Sequence, residues 1–149
     1  MPRIYKIPLP FTLSFILILA NFMKATELNE LKTFLSSPRK VVITTHKGPD
    51  GDAMGSSLAL YSYLLKKGHS VQVITPNDYP KFLKWMKGDD KVIEYCFHQE
   101  KAKRITEKAE LIFCLDFNTL SRIDTFAPVV EESNALKGIN RPSSATRYF

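Results

Sequence analysis

Two kinds of hydrophobic pattern alternate along this chain. Val41-Val42-Ile43-Thr44-Thr45 and Leu111 to Phe117 are apolar or β-branched with no polar alternation, the mark of strands buried on both faces. Val71 to Thr75 is a third such run, closed by Pro76-Asn77-Asp78, and Lys91 to Phe97 is a weaker fourth. Between them lie stretches of helical period. Leu28, Leu31, Phe34 and Leu35 share one face of a helix that Thr26 caps and Ser36-Ser37-Pro38 stops, with Glu27 and Glu30 near its positive end. Met54, Leu58, Tyr61 and Leu65 mark a second helix over Ala53 to Lys67, ended at Gly68. Pro80 opens a short helix through Met86, and Gln99 to Ala109 reads as a polar, solvent-facing one. Strands and helices alternating in this way predict an α/β fold, a parallel sheet with flanking helices.

The pattern fades beyond Asn118. Asn118 to Asp124 reads as a loop or helical turn and Ala127 to Leu136 as a helix, while Gly138 to Phe149 carries no apolar run. The further strand that a parallel sheet would want is not found there. An exposed sheet edge is therefore expected.

Composition adds bounds. A chain of 149 residues with 44% hydrophobic and 24% charged positions is one globular domain, which excludes wholesale disorder. The net charge of +6 suits a partner carrying phosphate without requiring one. Cys96 and Cys114 sit inside apolar runs and read as small buried hydrophobes in a reducing, cytoplasmic setting. Residues 1–22 stand apart, with Arg3 and Lys6 ahead of an apolar run from Phe11 to Ala20. That run resembles a signal peptide, is shorter than the roughly 20 residues of a membrane span, and lacks a good cleavage site. The preferred alternative is that Met23 is the true start. The expected organisation is thus a leader of uncertain status over 1–22, a domain over 23–137 and an aberrant tail over 138–149.

The candidate chemistry lies in Val41 to Gly55. His46 ends the first strand, Asp50 and Asp52 flank Gly51, and a helix follows. Asp116 ends another strand and could reach the same crevice if the two strands are neighbours, the place where open α/β sheets bind ligands. Histidine with several aspartates and no cysteine suits Mn²⁺ or Mg²⁺ better than Zn²⁺. Two such ions about 3.5–4 Å apart would clamp a phosphoryl group, with Asp116 the natural bridge. Pro49 and Gly51 would shape the turn, and the helix start at Gly55 to Ser57 would offer free N–H groups to a phosphate oxygen. The plainer reading is a simple turn, with Asp52 capping the helix, His46 and Asp116 being ordinary strand ends. The residues alone leave both open.

His46-Lys47-Gly48-Pro49-Asp50-Gly51-Asp52-Ala53, continued by Gly55-Ser56, resembles the H-x-x-P-D-x-D-A first motif of the DHH phosphoesterases. The strand ending at Asp116, with Asn118 and Arg122 after it, resembles their second motif, and the likeness runs from about Thr26 to Leu136. The nearest branch is the nanoRNase/pAp phosphatases. The resemblance implies a hydrolase of short RNA oligomers and of a nucleoside 3′,5′-bisphosphate, 3′-phosphoadenosine 5′-phosphate, with no stable protein partner or membrane. It implies that His46 and Asp50 hold one Mn²⁺, Asp52 the other, and Asp116 both, and that a metal-held hydroxide attacks. The family's Asp-His-His triplet is expected soon after Leu136, where the chain reads Lys137-Gly138-Ile139-Asn140-Arg141-Pro142, and no histidine follows His98. The expectation is a frameshift or early stop near Lys137, a weakened second metal, no C-terminal substrate domain and little turnover. A noncatalytic nucleotide- or metal-binding remnant is the alternative.

Other residues carry less. His69 is expected at a helix C-terminus facing its dipole or solvent, and His98 in a polar connection. Phe82, Trp85 and Met86, with Tyr79 nearby, read as core packing in preference to base stacking, and Lys81, Lys84 and Lys87 as a solvated face.

Overall fold

The computed structural model describes residues 25–138, so the leader over 1–22 and all but the first residue of the tail over 138–149 lie outside the described residues. Helix α1 (Ala25–Phe34) leads into strand β1 (Lys40–Thr45), helix α2 (Gly51–Lys66) and strand β2 (Ser70–Thr75). Two short 3₁₀ turns, Lys81–Leu83 and Asp89–Lys91, precede strand β3 (Ile93–Glu94). Helix α3 (Gln99–Glu107), strand β4 (Leu111–Leu115), a 3₁₀ segment (Leu120–Phe126), helix α4 (Ala127–Glu132) and strand β5 (Leu136–Gly138) complete it. The five strands are all parallel, in the order β3-β2-β1-β4-β5. The α/β fold expected from the pattern is the fold observed.

The unbroken apolar character of β1 follows from its central position. Val41 and Ile43 face one layer with Val73, Leu111 and Phe113, where Met54, Leu58 and Leu64 of α2 and Leu31 of α1 pack. Val42 faces the other with Ile74, Ile112 and Cys114, under Ala102 of α3, Ile123, Phe126 and Val130. Neither face reaches water, so no polar alternation survives. The α2 stripe is displaced slightly from expectation, with Leu64 buried and Leu65 43% exposed.

Five differences from the sequence reading have physical causes. A fifth strand does exist: Leu136, Lys137 and Gly138 pair with Leu111, Ile112 and Phe113. It is three residues long and its middle residue is a lysine, so no apolar run announces it. The helix expected to reach Leu136 accordingly ends at Glu132, and β5, not β4, forms the edge of the described sheet. Lys137 is fully buried, its Nζ donating to the Ser133 carbonyl at 2.6 Å. Burial holds its amine below the usual lysine range, and the neighbouring Cys114 thiol is pushed up to about 12, chiefly by burial. Strand β3 shrinks to two residues, which leaves Cys96 exposed in the turn beyond it while Cys114 is buried as expected. Asp50, not Asp52, caps α2, which therefore starts two residues early. The last two differences, at His69 and at Phe82 and Trp85, are taken up below. Among the described residues no helix is long and apolar enough to cross a membrane.

A polar clamp ties the start of the sheet together. Glu110 accepts from the Lys40 N–H at 2.9 Å and from Arg39 Nη1 at 3.0 Å, and the Glu110 N–H donates to the Lys40 carbonyl at 2.8 Å. His69 is buried in place of facing solvent, and its Nδ1 accepts the Arg39 N–H at 3.1 Å. Burial first, then the Arg39 guanidinium, holds the His69 imidazole below its ordinary range. An imidazolium Nδ1 carries a hydrogen and cannot accept that bond. The unfolded chain, with histidine near 6.5, therefore binds the extra proton before the folded one does. Stability is complete above about pH 6.5 and declines as the pH falls towards the depressed folded value. Urea unfolding at a series of pH values is expected to show this slope, and His69→Gln, an acceptor that does not titrate, to flatten it.

Candidate metal centre

The strand order places the first candidate residues together. The chain leaves β1 towards β2 and β3, then returns across α3 to β4 on the other side of β1. The C-terminal ends of β1 and β4 thus flank the point where the winding reverses, the crevice in which such sheets hold ligands. His46 follows β1 and Asp116 follows β4, and the two strands pair directly from Val41–Leu111 to Thr45–Leu115.

Three of the four expected ligands converge. His46, Asp50 and Asp116 each offer one donor atom, and those atoms lie within 4.8 Å of one another. Asp52 is in the first turn of α2, exposed, and stands outside that trio. His46 is 8% exposed, whereas both aspartates are open to solvent.

Each donor is held by the local fold. His46 Nδ1 lies 2.9 Å from the Lys47 carbonyl, an oxygen with no hydrogen to give, so Nδ1 carries the proton. In the neutral ring Nε2 then presents a lone pair, and it faces Asp116 Oδ2 at 3.4 Å. A divalent ion placed beside this lone pair and carboxylate would be bound by both. Asp50 Oδ1 accepts the Ala53 N–H at 2.9 Å, which fixes the carboxylate and leaves its second oxygen free. Asp116 has φ of 66°, a left-handed backbone that few non-glycine residues adopt. That turn is what ends β4 and swings the carboxylate back to His46.

The loop between the ligands is fastened on both sides. Gly48, at φ +64°, is the residue whose positive φ makes the turn, in place of the expected Gly51, which lies inside α2. Asn77 Oδ1 accepts the Gly48 N–H at 2.6 Å. The Lys47 N–H donates to the Arg122 carbonyl at 2.7 Å, and Lys47 Nζ pairs with Asp124 at 2.7 Å. Asn77 and Asp124 were not legible as site residues. Asn77 looks like an ordinary turn residue, and Asp124 lies in a segment without periodicity. The early start of α2 also puts Gly55 to Ser57 within the helical ladder, so their N–H groups are not the free ones.

The donor set is one imidazole and carboxylates with no thiol, which suits Mn²⁺ or Mg²⁺.

Comparison with known proteins supplies the family. Residues 40–140 match the model of the DHH family, N-terminal domain. Among solved structures the chain is similar to the crystal structure of an exopolyphosphatase-related protein from Bacteroides fragilis, at 35% sequence identity and a TM-score of 0.76. The match covers 85% of this chain and 40% of that one, so this chain spans well under half the length of that protein. No curated protein matches the sequence. The family match spans both strand ends that carry His46, Asp50 and Asp116, and on it the chain belongs to the DHH family.

Proposed function

We propose that this chain carries the metal-binding core of a Mn²⁺-dependent phosphoesterase acting on short oligoribonucleotides and on 3′-phosphoadenosine 5′-phosphate. The observation that supports it most is the convergence of His46, Asp50 and Asp116 from two adjacent strand ends. A bound divalent ion would polarise a phosphoryl oxygen and lower the pKa of a water. The residues of the chain do the rest. His46 and Asp50 hold that ion, one fixed through Lys47 and the other through the Ala53 N–H. Asp116, facing His46, would be a third donor to that ion and would serve a second ion together with Asp52. The Lys47 side chain, paired with Asp124, is fixed at the same rim.

The sequence holds only three histidines, and His69 and His98 lie away from this corner: His69 is clamped to Arg39, and His98 precedes α3. A second ion therefore rests on two carboxylates, Asp52 and Asp116. Turnover by this chain alone is accordingly expected to be slow. The test is release of nucleoside monophosphate from a short RNA, and of phosphate from 3′-phosphoadenosine 5′-phosphate, by the full chain with and without Mn²⁺. Slow release that needs Mn²⁺ and disappears in Asp116→Asn is expected. Release indifferent to both would contradict the reading, and Mn²⁺ binding with no release at all would favour a noncatalytic metal-binding remnant.

A further inference from the structure

Phe82 and Trp85 do not pack in the core. They are 73% and 79% exposed, the two most exposed large hydrophobic side chains of the described residues. Met86 is partly buried, in keeping with the core packing expected of it, and Leu83, which the sequence reading did not single out, is buried, both against the α2 layer. The 3₁₀ turn covers only Lys81–Leu83, and through it and the turn beyond it Leu83 and Met86 lie against the α2 layer while Phe82 and Trp85 are left to solvent. Core packing explains the first pair and leaves the second without a role.

The segment that displays these rings is built onto the metal corner. Asn77 binds the Gly48 N–H, and a methyl group placed on Gly51 would lie 3.9 Å from Leu83 Cδ2. Those contacts bracket Asp50. Lys84 pins the segment from behind, pairing with Asp78 at 2.9 Å and Glu94 at 2.8 Å, and its ammonium sits 4.8 Å above the Tyr79 ring. Its charge is thereby neutralised. Lys81 and Lys87 are different: both are exposed and neither forms an ion pair among the described residues. Along the chain Lys81 and Lys87 thus flank the two rings, Phe82 and Trp85, and all four side chains are exposed. Aromatic faces interleaved with free cations are the chemistry that grips a nucleobase and its phosphates.

We propose that Phe82 and Trp85 form a base-stacking platform at the rim of the metal corner, with Lys81 and Lys87 meeting the phosphates on either side. The proposal rests on the phosphoesterase reading for the reaction but adds a selective element to it. Rings give no advantage to an inorganic polyphosphate, which has no π face, so this platform selects nucleotides over polyphosphate chains.

Trp85 is the only tryptophan in the sequence, so intrinsic fluorescence reports directly on the platform. The full chain is titrated with 3′-phosphoadenosine 5′-phosphate and, separately, with inorganic tripolyphosphate, with excitation where adenine does not absorb. Saturable quenching by the nucleotide and none by tripolyphosphate is expected. Phe82→Ala should raise the nucleotide midpoint about tenfold, and Lys81→Ala and Lys87→Ala should raise it less. Both aromatic positions are surface positions, so circular dichroism should be unchanged. Equal quenching by the two ligands, or none, would overturn the proposal, as would an emission change that tracks protein concentration without nucleotide, the sign of a second copy covering the rings. Quenching does not require metal. A failure here with Asp116-dependent release intact removes the platform and leaves the phosphoesterase reading standing, and the reverse outcome removes the reaction and leaves the platform.

Discussion

Asp116→Asn is expected to weaken Mn²⁺ binding by about a hundredfold or more. Loss of a residue that merely supports a ligand costs about 10–100-fold in metal affinity, and a ligand costs at least as much. Asparagine keeps the size and the tolerance for a left-handed backbone, so the φ of 66° survives while the charge facing His46 is lost. Asp116→Gly separates the two roles of the residue. A non-glycine residue in this region costs about 1–2 kcal/mol, which glycine relieves. The greater freedom of glycine in the unfolded chain takes back about 0.5–1 kcal/mol. Stability should therefore be level or slightly higher while Mn²⁺ binding disappears. A glycine variant that binds Mn²⁺ normally would show that the backbone turn, and not the carboxylate, matters at this position. The strain is thus placed where the chemistry is, a common feature of functional sites.

The largest effect on stability is expected from Phe126→Ala, a loss of about 3–5 kcal/mol. Typical domains have only about 5–15 kcal/mol in total, so the variant sits near the edge of folding. Phe126 has no exposed surface, and its ring centroid is 4.8 Å from that of Tyr95 in a tilted pair. It closes the layer between the sheet, α3 and α4. It also ends the 3₁₀ segment whose Arg122 carbonyl and Asp124 carboxylate hold Lys47. Truncating the ring should loosen the loop that carries His46 and Asp50. Urea unfolding with and without Mn²⁺ checks this: the metal should restore part of the lost stability, because it binds the folded chain alone. A cost below about 1 kcal/mol would mean that the layer collapses around the vacancy.

What could be seen in the sequence, and what could not, follows from where each residue lies in the sheet. Strands β1 and β4 were legible because both are interior and buried on two faces, so their runs are continuous. Their pairing was only a condition in the sequence, since no local pattern encodes which strands are neighbours. The structure supplies it and so brings Asp116 to His46. Edge elements were less legible, β3 being expected only as a weaker strand over Lys91 to Phe97 and β5 not at all. Strand β3 needs only two residues and β5 only three, too few for a period, and the buried Lys137 in β5 argues against a strand by its type.

The capping choice between Asp50 and Asp52 was hidden for another reason. Both are good caps two residues apart, and the Ala53 N–H decides for Asp50. Likewise Leu83 and Met86 cannot be told from Phe82 and Trp85 by hydrophobicity. The local turn of the chain, not the residue type, assigns one pair to the core and the other to solvent.

The central claim is that His46, Asp50 and Asp116 make a divalent-cation site, and calorimetric titration of the full chain with Mn²⁺ tests it most directly. The account predicts one well-defined site, any second being much weaker, with the strong one lost in Asp116→Asn. No binding, or binding that the Asp116 substitution leaves unchanged, would contradict it.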